Sequence, residues 1–162
     1  MADAEFLAVH YPKFATVLVG GVGVIGTGSN TVTLSTLGVD NTTAGMFATI
    51  YTAGTNGGIV DSLMISTSDG AAVNVLLWIM DGSTIIPLGI VNIPLSSGMS
   101  ATAPNIDALA GAGTTLTGLA INSNGKRYLQ MKAGQILKAG VLAQMSANKQ
   151  VWIRYSGLEF SS

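Results

Sequence analysis

Residues 58–95 read GIVDSLMISTSDGAAVNVLLWIMDGSTIIPLGIVNIPL. Three apolar runs are separated by Asp69-Gly70 and Asp81-Gly82. Both residue types tolerate the positive φ angles of tight turns, so the stretch predicts three β-strands joined as a meander. In the first run Ile59, Leu63 and Ile65 alternate to one face with Asp61. In the second, Val73, Val75, Leu77 and Ile79 form one face. The other face, Ala72, Asn74, Leu76, Trp78 and Met80, is also largely apolar. A strand apolar on both faces is central in a sheet or lies beneath a subunit contact. The third run contains Pro87, which cannot donate to a strand ladder, so part of it lies at an edge or bulge.

Further strands extend this meander on both sides. Upstream, Thr31–Leu37 and Ala44–Thr52 alternate. Phe47 and Tyr51 share one face of the second, with Met46, Ala48 and Ile50 on the other. Asn56-Gly57-Gly58 is a hairpin signal. Downstream, residues 96–115 form a long connection in which Pro104–Ala110 predicts one helical turn with Asn105 as its cap. Leu116–Ile121, Arg127–Met131 and Gln135–Met145 then read as strands, with turns at Asn124-Gly125 and at Lys132-Ala133-Gly134. In the third of these Leu137, Ala139, Val141, Ala143 and Met145 point inward and Lys138 and Gln144 outward. After Asn148-Lys149, the last strand sends Val151, Ile153 and Tyr155 inward and Trp152 and Arg154 outward. An outward Trp beside an Arg is a candidate interface anchor.

The first 30 residues differ in character. MADAEFLAVHYPKF mixes aromatic side chains with a few charges, and FATVLVGGVGVIGTGSN is apolar and glycine-rich. Residues 1–30 read as an extended arm plus a first strand, and residues 31–162 as one β-sandwich domain. Phe6, His10, Tyr11 and Phe14 are the arm's candidate partner contacts, beside Trp152 and Arg154 on the last strand. The expected architecture is all-β, a jelly roll or related Greek-key β-sandwich of about 8–10 strands, because a long crossover between strand groups suits that wrapping better than an up-and-down meander.

Composition narrows the function classes. Only 9% of the 162 residues are charged and the net charge is −1, so the field that nucleic-acid binding requires is missing. Apolar residues make up 48%, which predicts an adhesive surface covered by other protein. The longest apolar stretch, Phe14–Ile25, is too short and too glycine-rich to cross a bilayer as a helix, and Asp3 and Glu5 precede it where a secretory signal carries positive charge. No membrane or nucleic-acid partner is expected. There is no cysteine, hence no disulfide or thiolate metal site.

No motif carries catalysis. Gly21–Gly26, GVGVIG, matches a dinucleotide-binding fingerprint, but the TGSNTVTLST that follows is β-branched and predicts no helix for a pyrophosphate to rest on. Ser123–Lys126 and Ser146–Lys149 match S-x-x-K, yet both fall in predicted turns. The one histidine, His10, has no neighbouring partner in sequence, and Asp40, Asp69 and Asp81 read as turn formers. Asn41-Thr42-Thr43 fits a glycosylation sequon within a turn. No enzyme activity, metal or cofactor is expected.

The segment NSNGKRYLQMKAGQILKAGVLAQMSANKQVWI, with the earlier DGAAVNVLLWIMDGSTIIPLGIVNIPL, resembles small structural proteins of tailed bacteriophages, of the capsid decoration or cement type. The resemblance spans about residues 55–157 and consists of turns and alternation: an Asp-Gly turn, a strand ending IVNIPL, an Asn-Gly turn, a tyrosine strand, a Leu-x-x-Ala-Gly-Gln turn and a paired terminal strand. It implies a jelly-roll-like virion protein, made in the host cytoplasm. Copies, often homotrimers, would sit on the outer capsid surface and bridge major capsid protein subunits. Three other readings stay open. They are a tail or fibre component binding a host receptor or glycan through Trp78 or Trp152, another minor virion subunit, and a non-viral β-sandwich binding module.

Overall fold

A computed structural model describes residues 15–26, 47–110 and 116–161, with side chains defined for 18–26, 47–110 and 116–160. The predicted strand Thr31–Leu37, the sequon at Asn41, Asp40 and the arm residues Phe6, His10, Tyr11 and Phe14 lie outside that set.

The described chain is all-β, two antiparallel sheets packed face to face. Sheet A has strand order β1 (Ala15–Ile25), β10 (Val151–Ser161), β3 (Gly58–Thr67), β8 (Arg127–Met131) and β7 (Ala120–Ile121), with β6 (Ile106–Asp107) pairing beside β8 on β3. Sheet B has the order β2 (Phe47–Thr52), β9 (Ile136–Val141), β4 (Val73–Asp81) and β5 (Thr84–Ile93). Four of the pairings are nested, while β3–β10 and β4–β9 pair across that nest. The hairpin β4–β5 is enclosed by β3–β8, then by β2–β9, then by β1–β10.

The core lies between the sheets. Val60, Leu63, Ile65, Leu129, Met131, Val151 and Ile153 face it from sheet A, and Val75, Leu77, Ile79, Val91, Ile93, Leu137, Ala139 and Val141 from sheet B. Fully burying a branched aliphatic or aromatic side chain stabilises by about 1.5–3 kcal/mol each, so this interior dominates the fold's stability. The both-faced apolar strand β4 is central, flanked by β9 and β5, as its pattern predicts. Pro87 lies on the edge strand β5, where the register with β4 slips between Leu77 and Trp78. Asp81 pairs with Thr84 around a two-residue turn whose Gly82 has φ of 59°.

Several expectations are corrected. Asp69-Gly70 does not close a hairpin: β3 belongs to sheet A and β4 to sheet B, so the chain there crosses between layers. The Asn56-Gly57 turn likewise carries the chain from sheet B to sheet A. Asp69 is buried and staples the crossing. Its carboxylate accepts bonds from the Ser146 amide and hydroxyl, both at 2.8 Å, and from the Ala71 amide. These donors, the Ser146 amide foremost, hold its pKa below the usual carboxylate value. Pro104–Ala110 forms no helix. Ile106 and Asp107 extend along β3, and the Asp107 carboxylate takes the Leu109 amide. Of the predicted strand Leu116–Ile121 only Ala120 and Ile121 are paired.

Two bulges break simple alternation. Opposite Ser156 and Gly157 the register of β3 slips, so Val60 enters the core and Ile59 shares a face with neither Leu63 nor Ile65. Between Thr49 and Tyr51 the register of β2 slips too, which turns Tyr51 into the core and away from Phe47. In the last third Ala143, expected inside, lies beyond the end of β9 and is exposed.

Candidate interaction surface

The two sheets each have an outer face, and each face carries an apolar stretch. On β1 the outward positions are Leu18, Gly20, Val22 and Val24, alternating with inward Val19, Gly21, Gly23 and Ile25. The inward glycines accommodate their neighbours. A Cβ on Gly21 would fall 2.8 Å from the Tyr155 ring, and one on Gly23 would run into the Ile50 side chain. Gly21 and Gly23 of the nucleotide fingerprint therefore belong to a packed strand, and Gly26 follows its end. The side chains left to point outward are large and apolar: Leu18 is 84% exposed, Val22 54% and Val24 44%.

Cross-strand register extends this row over sheet A. Val24 stands opposite Trp152, and Val22 opposite Arg154. On the far side of β10, Trp152 faces Ser66 and Arg154 faces Met64. Trp152 is half-buried and Arg154 exposed. Both point outward as the alternation predicts, and the structure brings them together with Val22, Val24 and Met64. The last three were missed in the sequence as surface residues. The available signal was Gly21 and Gly23: inward positions without side chains imply that the intervening valines face out. Phe6, His10, Tyr11 and Phe14 lie outside the described residues.

At the centre of the outer face of sheet B the apolar stretch is closed. Trp78 is fully buried there with Leu76, enclosed by Phe47, Met80, Ile85 and Leu142. Phe47 meets Trp78 edge-on, ring centroids 6.2 Å apart, and the Lys138 ammonium sits 4.5 Å from the centre of the Phe47 ring. Desolvation lowers the Lys138 pKa, since burial disfavours its charged form. Among the described residues the indole Nε1 of Trp78 has no hydrogen-bond partner. Trp78 is thereby removed as a stacking platform for a sugar ring.

A cleft of about 480 Å³ opens between the sheets' ends, over Ile79, Leu88, Leu129 and Met131. Its polar rim is self-satisfied: Gln135 donates to the Asp81 carboxylate at 2.9 Å and accepts from the Lys132 amide at 2.8 Å. Near β1, the Tyr51 hydroxyl donates to Glu159 at 3.3 Å, and the Tyr51 and Tyr155 rings lie 5.2 Å apart. Burial first, then the neighbouring Glu159 charge, pushes the Tyr51 pKa up to about 12, so that phenol stays neutral at ordinary pH. Among the described residues no three His, Cys, Asp or Glu side chains group to hold a metal ion.

The chain matches no protein-family model, no curated protein and no solved structure.

Proposed function

We propose that this protein is a non-enzymatic virion structural protein of the capsid decoration type, one that binds the outer capsid surface and bridges major capsid protein subunits. The observation that carries the proposal is the outer face of sheet A. There Trp152 and Arg154 stand side by side, bordered by exposed Val22 and Val24, on a rigid two-layer scaffold. Aromatic side chains and Arg are the residues most enriched at interface centres. A cement protein needs no more chemistry than this. It needs a stiff body, an adhesive face and many copies, because contacts that are weak singly add up when repeated over a shell. The nested pairing of the strands supports the finer architectural reading, since wrapping a long folded ribbon into two sheets is how a jelly roll is built. The trimer and the location on the virion come from the resemblance alone, and the arm's contacts from the composition of the first 14 residues.

The test is co-sedimentation of the purified chain with heads of the phage that encodes it, alongside light scattering of the free protein. Saturable binding to heads, weakened by Trp152→Ala and Arg154→Ala and lost on removal of residues 1–14, supports the reading. A chain that leaves the heads unbound at saturating concentration overturns it.

A further inference from the structure

We propose that β1 is a self-pairing edge, through which two copies of this chain join their A sheets into one continuous antiparallel sheet. Edge strands offer unpaired backbone groups to any matching strand, and proteins blunt that hazard with charge, proline, bulges or brevity. β1 has none of these. It runs for eleven residues, Ala15–Ile25, without a charged residue, a proline or a register slip against β10. Among the described strands β10 is its one ladder partner.

The other described edges are poor matches for it. β7 is two residues long. β2 is six residues long and bulged. β5 carries Pro87 and a slip beside Gly89. The edge that equals β1 in length and lack of charge is a second β1. Antiparallel pairing of a strand with itself is two-fold symmetric and closes on a dimer.

The register follows from the strand's length. Full overlap of Ala15–Ile25 with its copy places the two-fold axis at Gly20, the midpoint of the strand. Leu18 of each copy then lies directly across from Val22 of the other, on the outward face where both are exposed. Gly20 itself presents no side chain at the crossing point. The overlap spans roughly 37 Å, and a strip one sheet thick along it buries on the order of 700 Å² in total, below the roughly 1,200 Å² of stable interfaces. The dimer is accordingly weak, and its fraction rises with concentration. It also doubles the apolar outer face that carries Trp152. The inference is independent of the capsid reading and differs from the trimer implied by resemblance.

Sedimentation equilibrium on the full chain over a wide concentration range tests it, with three variants: Leu18→Glu, Val22→Lys, and both together. The wild-type chain is expected to show a monomer–dimer equilibrium. Each single variant buries a charge against an apolar partner side chain and raises the dissociation constant roughly tenfold or more. The double variant sets opposite charges across the pair in the Gly20 register and recovers most of the dimer. Because both positions are exposed, all variants should keep a cooperative urea transition, with Leu18→Glu at the wild-type midpoint and Val22→Lys slightly below it because Arg154 stands directly across on β10. A wild-type chain that stays monomeric, forms trimers instead, or dimerises equally well with either single substitution overturns the proposal. Failure of the double variant to recover the dimer overturns the Gly20 register.

Discussion

The outer faces of the two sheets start from similar sequence and end in opposite states. Sheet B sends out Leu76, Trp78 and Met80 from β4 and buries the first two, with Phe47, Met80, Ile85 and Leu142 packed against them. Sheet A sends out Leu18, Val22, Val24 and Trp152 and leaves Leu18 and Val22 more than half exposed, with Trp152 half-buried. The difference lies in what surrounds each tryptophan. Trp78 sits on a central strand among long side chains from both neighbouring strands. Trp152 sits one strand from an edge, with Val24 on one side and Ser66 on the other. An apolar face closes over itself where its neighbours are large, and stays adhesive where they are small.

The sharpest way to break this comparison is to delete the two tryptophans in turn. Trp78→Ala should cost about 3–5 kcal/mol, the range for a large aromatic removed from a packed interior, read as the shift in urea unfolding. Equal losses for Trp78→Ala and Trp152→Ala would erase the distinction. The next effect concerns the crossing that joins the layers. Asp69→Asn should cost about 1.5–3 kcal/mol, because charge-assisted bonds from Ser146 are replaced by weaker ones. The sign of its pH dependence follows from the lowered folded pKa. Below the unfolded value of 3.8 the unfolded chain takes up the proton more readily. The stabilisation is therefore present above that value and lost as pH falls through the folded one. The Asn variant should unfold with a flatter acid limb.

Three smaller effects sharpen the contrast. Trp152→Ala should cost roughly 2 kcal/mol, the area its half-burial withholds from water, while weakening assembly far more. Lys138→Met should raise stability by about 1 kcal/mol at neutral pH, since it removes a desolvated charge at the cost of a cation–π contact. A folded pKa below the unfolded one means the unfolded chain binds more protons, so wild-type stability rises with pH toward the unfolded lysine value of 10.5. That rise should vanish in the Met variant. Smallest of all, Trp78→Phe should be close to neutral, because lost area is offset by removal of an indole N–H that has no partner.

Strand positions were legible in the sequence wherever alternation ran unbroken. Val73–Ile79 and Val151–Tyr155 alternate as read, Pro87 marks an edge, and Asn124-Gly125 closes the β7–β8 hairpin. Two kinds of feature escaped. A bulge adds one residue and inverts every face beyond it, which is why Tyr51 parts from Phe47 and Ile59 from Leu63. A turn residue announces a reversal of direction but not the layer that receives the next strand, so Asp69-Gly70 reads as a hairpin when it is a crossing. At the candidate surface, the outward direction of Trp152 and Arg154 was legible from parity. Their company was not: the valines of β1 lie more than a hundred residues away in sequence, and only the pairing of β1 with β10 brings them alongside.

That outermost pairing also sets an order of assembly. Ala15 stands opposite Ser161, so forming β1–β10 first would mean closing almost the entire chain into a loop. Starting instead from the β4–β5 hairpin, β3–β8, β2–β9 and β1–β10 each bring together ends already held close by the pair within. The fold thus has an inside-out route in which each closure shortens the next, and a high contact order if that route is missed. On that route the strand with the exposed apolar row is the last to join. Until it joins, the edge of sheet A is β10, with Trp152 at its margin.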